Sequence, residues 1–197
     1  MPEKNKMAYS SYIKDMPFLL LEMRKAARLI ADGTGLDSIV TLSIEKNIFQ
    51  LDKERRRLKL AQKIVSRLSA LSNEQIMALA GEQDETAKLV AFYAVIKTDL
   101  LFFEFMIDVY MEKLRIGQSK IADTDIIAFL HSKEEIQKWT DNNFVRVKNT
   151  YKNILCEAGL CVREESFLII QKPILGELVE KAFPNGDEYT AAMGVEV

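Results

Sequence analysis

The sequence predicts a mainly α-helical protein: an N-terminal helical bundle with a helix-turn-helix-like element, then a C-terminal winged-helix-like unit with a small β-hairpin. Three observations predict it. Proline and glycine are sparse, four and eight in 197 residues, which favours long helices over a turn-rich β fold. Apolar residues recur at three- and four-residue spacing through most of the chain. Near residues 161–170 that pattern yields to two short β-type runs around a polar turn. With 48% hydrophobic and 28% charged residues, the composition is that of a folded globular chain.

Taken in order, a first helix is expected over residues 17–31, its apolar face supplied by Phe18, Leu21, Ala26, Leu29 and Ile30, with Gly33 and Gly35 ending it. A short helix over 36–45 follows from Leu36, Ile39, Val40 and Ile44. Asn47 and Ile48-Phe49-Gln50-Leu51 read as a connector. Asp52 is the expected cap of a long helix to residue 71, with Leu58, Ala61, Ile64, Val65 and Leu68 on its buried stripe. Ser72 and Gln75 have the spacing of a capping box, opening a helix that ends at Gly81. Two largely apolar helices, over 85–96 and 99–114, are the expected centre of the core.

Residues 117–123 read as a linker between an N-terminal helical domain (1–117) and a C-terminal unit (118–186), with 187–197 as a flexible tail. Beyond the linker, helices are expected over 124–131, 133–138 and 141–158, the last capped by Thr140 or Asp141 and stopped by Gly159. Two strands, 161–163 and 167–170, flank Glu164-Glu165-Ser166, and Pro173 starts a final helix over 174–183. Three helices, a hairpin and a last helix is winged-helix order.

Several function classes lose support at once. The chain has no glycine-rich phosphate loop, zinc signature or nucleophile elbow, and its one histidine, His131, has no evident catalytic partner. Cys156 and Cys161 read as small buried hydrophobes. The reading is therefore a non-enzyme that takes no cofactor and no metal. The polar start, Met1 to Met7, is unlike a signal peptide. The most apolar stretch, residues 89–111, carries Lys97, Asp99, Glu104 and Asp108, each costing about 2.5–3.5 kcal/mol at a bilayer centre. No membrane span and a cytoplasmic location are expected.

Charge supplies the positive signal. Lys53-Glu54-Arg55-Arg56-Arg57, extended by Lys59, Lys63 and Arg67, gives the 52–71 helix a basic side behind a short helix and a turn. That is a helix-turn-helix arrangement, in which lysine and arginine neutralise phosphates of double-stranded DNA. A solvated basic face explains the charge alone equally well. Cations at a helix N-terminus oppose the helix dipole, a small cost that points to another use for them. A second set, Asn143, Arg146, Asn149 and Lys152, projects from the 141–158 helix, and asparagine and arginine suit bidentate contacts to base edges. Here a winged helix used for protein contact stays open as the alternative, and Glu164 and Glu165 disfavour the wing as a DNA element. Trp139 reads as packing at the start of that helix.

From about Tyr9 to Phe183 the chain resembles the BrxA family of bacteriophage-exclusion (BREX) defence systems, which once carried an inner-membrane label. The resemblance lies in Leu19-Leu20-Leu21-Glu22, Glu45-Lys46-Asn47-Ile48-Phe49-Gln50, Arg67-Leu68-Ser69-Ala70-Leu71, the apolar central helices and Leu155-Cys156-Glu157-Ala158-Gly159-Leu160. It implies a cytoplasmic accessory with two helical parts, binding to double-stranded DNA, and partnership with other BREX subunits, among them an ATPase, a methyltransferase and a phosphatase-like protein. A protein scaffold within the defence complex, or a regulator of its own operon, are the alternatives.

Overall fold

A computed structural model describes residues 8–81, 84–171, 182–183 and 186–194. The fold is mainly α with a small β-hairpin, as the periodicity predicts, and among the described residues a third strand joins that hairpin in an antiparallel sheet. The helices are α1 (Leu20–Ala31), α2 (Ser38–Glu45), α3 (Glu54–Leu68), α4 (Asn73–Ala80), α5 (Asp84–Thr98) and α6 (Leu100–Phe105). A single π-helical stretch, Met106–Met111, joins α6 to α7 (Glu112–Arg115). Then come β1 (Lys120–Ala122), α8 (Asp123–His131), α9 (Asp141–Glu157), β2 (Cys161–Glu164), β3 (Phe167–Ile170) and α10 (Glu188–Ala192).

Local chemistry explains most of the boundaries. Ser72 and Gln75 form the reciprocal capping box that opens α4. Thr140 caps α9 by accepting from the Asn143 N–H, and Gly159 ends it at φ +77°, a conformation that side chains with a Cβ resist. Asp99 breaks the α5–α6 run, its carboxylate accepting from the Phe102 N–H at 3.0 Å.

Expectations for the linker, the 133–138 helix, the α3 stripe and the tail are corrected. Residues 120–122 of the expected linker are a strand, not a loop: β1 pairs with β3, Ile121 opposite Leu168, and Ile121 is fully buried. Three residues are too few to display a period of two. The helix expected over 133–138 shrinks to a 3-10 turn at Glu134–Ile136, because only Ile136 is buried and Thr140 starts a new helix at once. The stripe of α3 is Leu60, Ala61, Ile64, Arg67 and Leu68, with Leu58 and Val65 only half-buried. The tail also differs. Residues 188–192 are helical, Asp187 caps them through the Thr190 N–H, and Thr190, Ala192 and Met193 are buried. Of the last helix expected from 174, residues 174–181 lie outside the described residues.

The core runs across the boundary expected at Gly117. Phe102 and Phe105 of α6 meet Tyr151 of α9 at ring-centroid distances of 4.5 and 5.0 Å, and Phe105 meets Phe129 of α8 at 5.6 Å. The N-terminal segment adds a strap. Ile13, Met16 and Phe18 are buried, the turn Ser11–Lys14 packs on α9, and the Tyr9 hydroxyl donates to Glu104 on α6 at 2.6 Å. Among the described residues, no helix is long and apolar enough to cross a membrane.

Candidate nucleic-acid interface

The α2–turn–α3 unit is the helix-turn-helix-like element read from the sequence. It is built from the connector upward. Asn47 and Gln50 take positive φ, 48° and 56°, a region that asparagine tolerates better than most residues. The Asn47 side chain accepts from the Leu51 N–H at 2.8 Å, closing the turn on itself. Buried Ser43 of α2 donates to the Arg57 carbonyl at 3.1 Å, tying α2 to the first turns of α3. The cap of α3 is Lys53 rather than Asp52, and no side chain caps it.

The cations of α3 divide along the helix. Lys53, Arg55, Arg56 and Lys59 are exposed and form no ion pair with a described carboxylate. Arg55 and Lys59 stand four residues apart, so like charges face one another, at a cost of roughly 0.2–0.5 kcal/mol. Arg57 is half-buried and turns back on the connector. Lys63 is half-buried and lines a small cavity of about 160 Å³ with Ser10, Tyr12, Thr98 and Asp99; burial, helped by Arg67, lowers its pKa. Arg67 is wholly buried. The basic stripe of the sequence is thus two populations, an exposed N-terminal cluster and an internal set.

The α9 set is differently placed. Arg146 pairs with Asp15 of the strap at 2.9 Å. Lys148 (2.6 Å) and Lys152 both pair with Asp123 at the start of α8, and Lys152 is buried. The Asp123 carboxyl, raised by burial, is pulled back below the usual carboxylate value by these two ammonium groups. Asn149 is exposed and Asn143 half-buried at the helix start. Sequence spacing brought these four residues onto one helix but carried no sign of Asp15 and Asp123, which are distant in the chain and neutralise it. His131 stacks on Phe144 at 4.6 Å, and Trp139 lies against the same ring at 5.9 Å, so both pack the start of α9. Among the described residues no cluster of three or more His, Cys, Asp or Glu is placed to hold a metal ion.

Residues 7–185 match the model of the BrxA family. The chain belongs to that family. One relative, "BREX protein BrxA" of Bacillus cereus (strain H3081.97), is 34% identical over 184 residues, covering 91% of this chain and 92% of its own. Among solved structures, an uncharacterized protein from Magnetospirillum magneticum superposes with a TM-score of 0.75 at 20% identity, over 94% of this chain and 97% of that one. That second likeness concerns the fold alone. For this BrxA-family chain the match takes in the strap, α2, the connector, α3 and α9 together.

Proposed function

We propose that this chain is a non-enzymatic, cytoplasmic accessory of a BREX phage-defence system that binds double-stranded DNA and positions other BREX subunits there. The observation that carries the reading is the exposed cluster of Lys53, Arg55, Arg56 and Lys59 at one end of α3. Four cations crowded on about two turns, opposed locally only by Asp52 and Glu54 and paired with no described carboxylate, are held against their own repulsion, and a phosphate backbone relieves it. The backbone N–H groups at the uncapped start of α3 point the same way.

In this reading α3 is the DNA element and the winged-helix-like unit, β1-α8-α9-β2-β3, is its support. Arg146, Lys148 and Lys152 already satisfy carboxylates, so they release few counterions on binding a duplex. That same neutralisation favours a protein-contact role for the α9 unit, consistent with an accessory that bridges DNA and a partner.

Gel-shift titrations at several salt concentrations test the reading. Replacing Arg55, Arg56 and Lys59 together by Ala should weaken duplex binding severely, and should flatten the dependence of log K on log salt by roughly 0.9 per lost phosphate contact. Full binding by the folded triple variant rules α3 out. A scaffold whose basic helix meets an acidic protein predicts instead partner capture after nuclease treatment, with no intrinsic duplex affinity.

A further inference from the structure

We infer that Arg57, which the sequence groups with the DNA-facing cations, is a positioning residue that fixes the α2–α3 connector and contacts no phosphate. This inference rests on the proposed DNA-binding role of α3. Each of the three guanidinium nitrogens of Arg57 donates one hydrogen bond to a main-chain carbonyl, three of its five N–H groups in all: Nε to Leu51 at 2.6 Å, one terminal nitrogen to Asp52 at 3.2 Å and the other to Ile44 at 3.3 Å. Ile44 lies in the last turn of α2, where carbonyls lack helical partners, while Leu51 and Asp52 are in the connector.

One side chain therefore joins the end of one helix, the connector and the start of the next. The connector needs such a clasp. Asn47 and Gln50 both hold left-handed backbone without being glycine, a strained conformation that the surroundings have to hold in place. Ser43 completes the tie from the opposite side, bonding the carbonyl of Arg57 itself. A planar guanidinium spans three carbonyls in one plane; a lysine ammonium at the same place is a single point and does not. Arg57 thereby sets where Lys53, Arg55, Arg56 and Lys59 stand relative to α2.

The test compares Arg57→Ala, Arg57→Lys, Asn47→Ala and Arg55→Ala in the full chain, with a random-sequence DNA duplex as probe and hydrogen exchange of the Leu51 and Lys53 amides as a second readout. A phosphate contact and a clasp predict opposite patterns. Arg55→Ala should lower affinity and the salt slope together, with connector exchange unchanged. Arg57→Ala should lower affinity by on the order of tenfold with the salt slope intact, and should speed connector exchange. Arg57→Lys should resemble Arg57→Ala, and Asn47→Ala, which removes no charge, should resemble both. A reduced salt slope in Arg57→Ala, or full binding by Arg57→Lys, overturns the inference. If the unaltered chain binds no duplex, the DNA reading fails by itself, and exchange still decides Arg57: faster connector exchange upholds the clasp, and unchanged exchange overturns it.

Discussion

Arg67 and Phe18 are joined by a buried hydrogen bond, the guanidinium donating to the Phe18 carbonyl at 2.8 Å while its other terminal nitrogen donates to Met16 at 2.9 Å. A residue that continues the basic run of α3 in the sequence is, in the fold, the anchor of the N-terminal strap. Burial lowers its pKa to about 10, far enough above neutrality to leave it charged. Replacing it leaves two inward carbonyls without donors. Arg67→Ala is expected to destabilise the protein by about 2–4 kcal/mol, and Arg67→Met, which keeps the volume, by somewhat less. Urea denaturation measures the loss. Duplex affinity of the molecules that remain folded should be unaffected; selective loss of DNA binding in a stable Arg67 variant would place the residue at the interface after all.

Asp123 is the next point of leverage. Among the described residues it is the carboxylate paired with Lys152, whose side chain is 7% exposed, and it also holds Lys148. Removing it strands a buried ammonium, so Asp123→Ala should cost about 1–3 kcal/mol, the value being discounted because the carboxylate itself is partly solvated. Its pKa is lowered in the fold. The stabilisation is therefore complete above the ordinary carboxylate value and disappears as pH falls through the folded one. Thermal melts of both proteins should differ most at neutral pH, and the difference should shrink steadily as pH falls below the ordinary carboxylate value.

α9 is expected to contribute little to duplex binding. Arg146 is tied to Asp15 on the surface, a pair worth under about 1 kcal/mol, and Asn149 is the freely exposed polar side chain of the set. Arg146→Ala combined with Asn149→Ala should change affinity by no more than about twofold, against the severe loss expected from α3. A loss from α9 as large as that from α3 would make both helices contact surfaces.

The tail offers a contrast between what a sequence displays and what it hides. Helix periodicity, caps and the strand pair were legible because each is written within ten or so neighbouring residues. The order Ser72–Gln75 and the Gly159 stop are examples. Which cations are free was not legible, because Asp15, Asp123 and the carbonyls of Met16 and Phe18 come to them from far along the chain. The end of the chain failed for the same reason. Glu188-Tyr189-Thr190-Ala191-Ala192 is short and weakly apolar, yet Tyr189 meets Phe103 at 4.6 Å and Tyr93 at 6.2 Å, rings supplied by α6 and α5. Ending the chain after Gly186 should therefore expose both aromatics and lower the melting temperature by several degrees, as about 1–3 kcal/mol of lost burial does in a domain of this size. An unchanged melting temperature would show the tail to be an ornament.

Asp99 gives the fold a pH dependence of opposite sign to that of Asp123. Burial pushes its carboxyl up to about 6, against the Phe102 N–H, Lys63 and Arg67, all of which favour the charged form. The unfolded chain releases this proton near 3.8, so between those two values the folded state holds more of it. Stability from this group is thus greatest at the acid end of the window and declines as pH rises toward 6. Asp99→Asn keeps the cap on α6, since asparagine is as good a cap as aspartate, and removes the titration. Relative to the parent, the variant should gain stability between pH 4.5 and pH 7. Urea midpoints of both proteins at those two pH values measure the gain as a difference of differences, which cancels whatever constant cost the exchange imposes on Arg67. A difference that does not move with pH would mean that Asp99 titrates as an ordinary surface carboxylate, with Lys63 and Arg67 offsetting its burial in full.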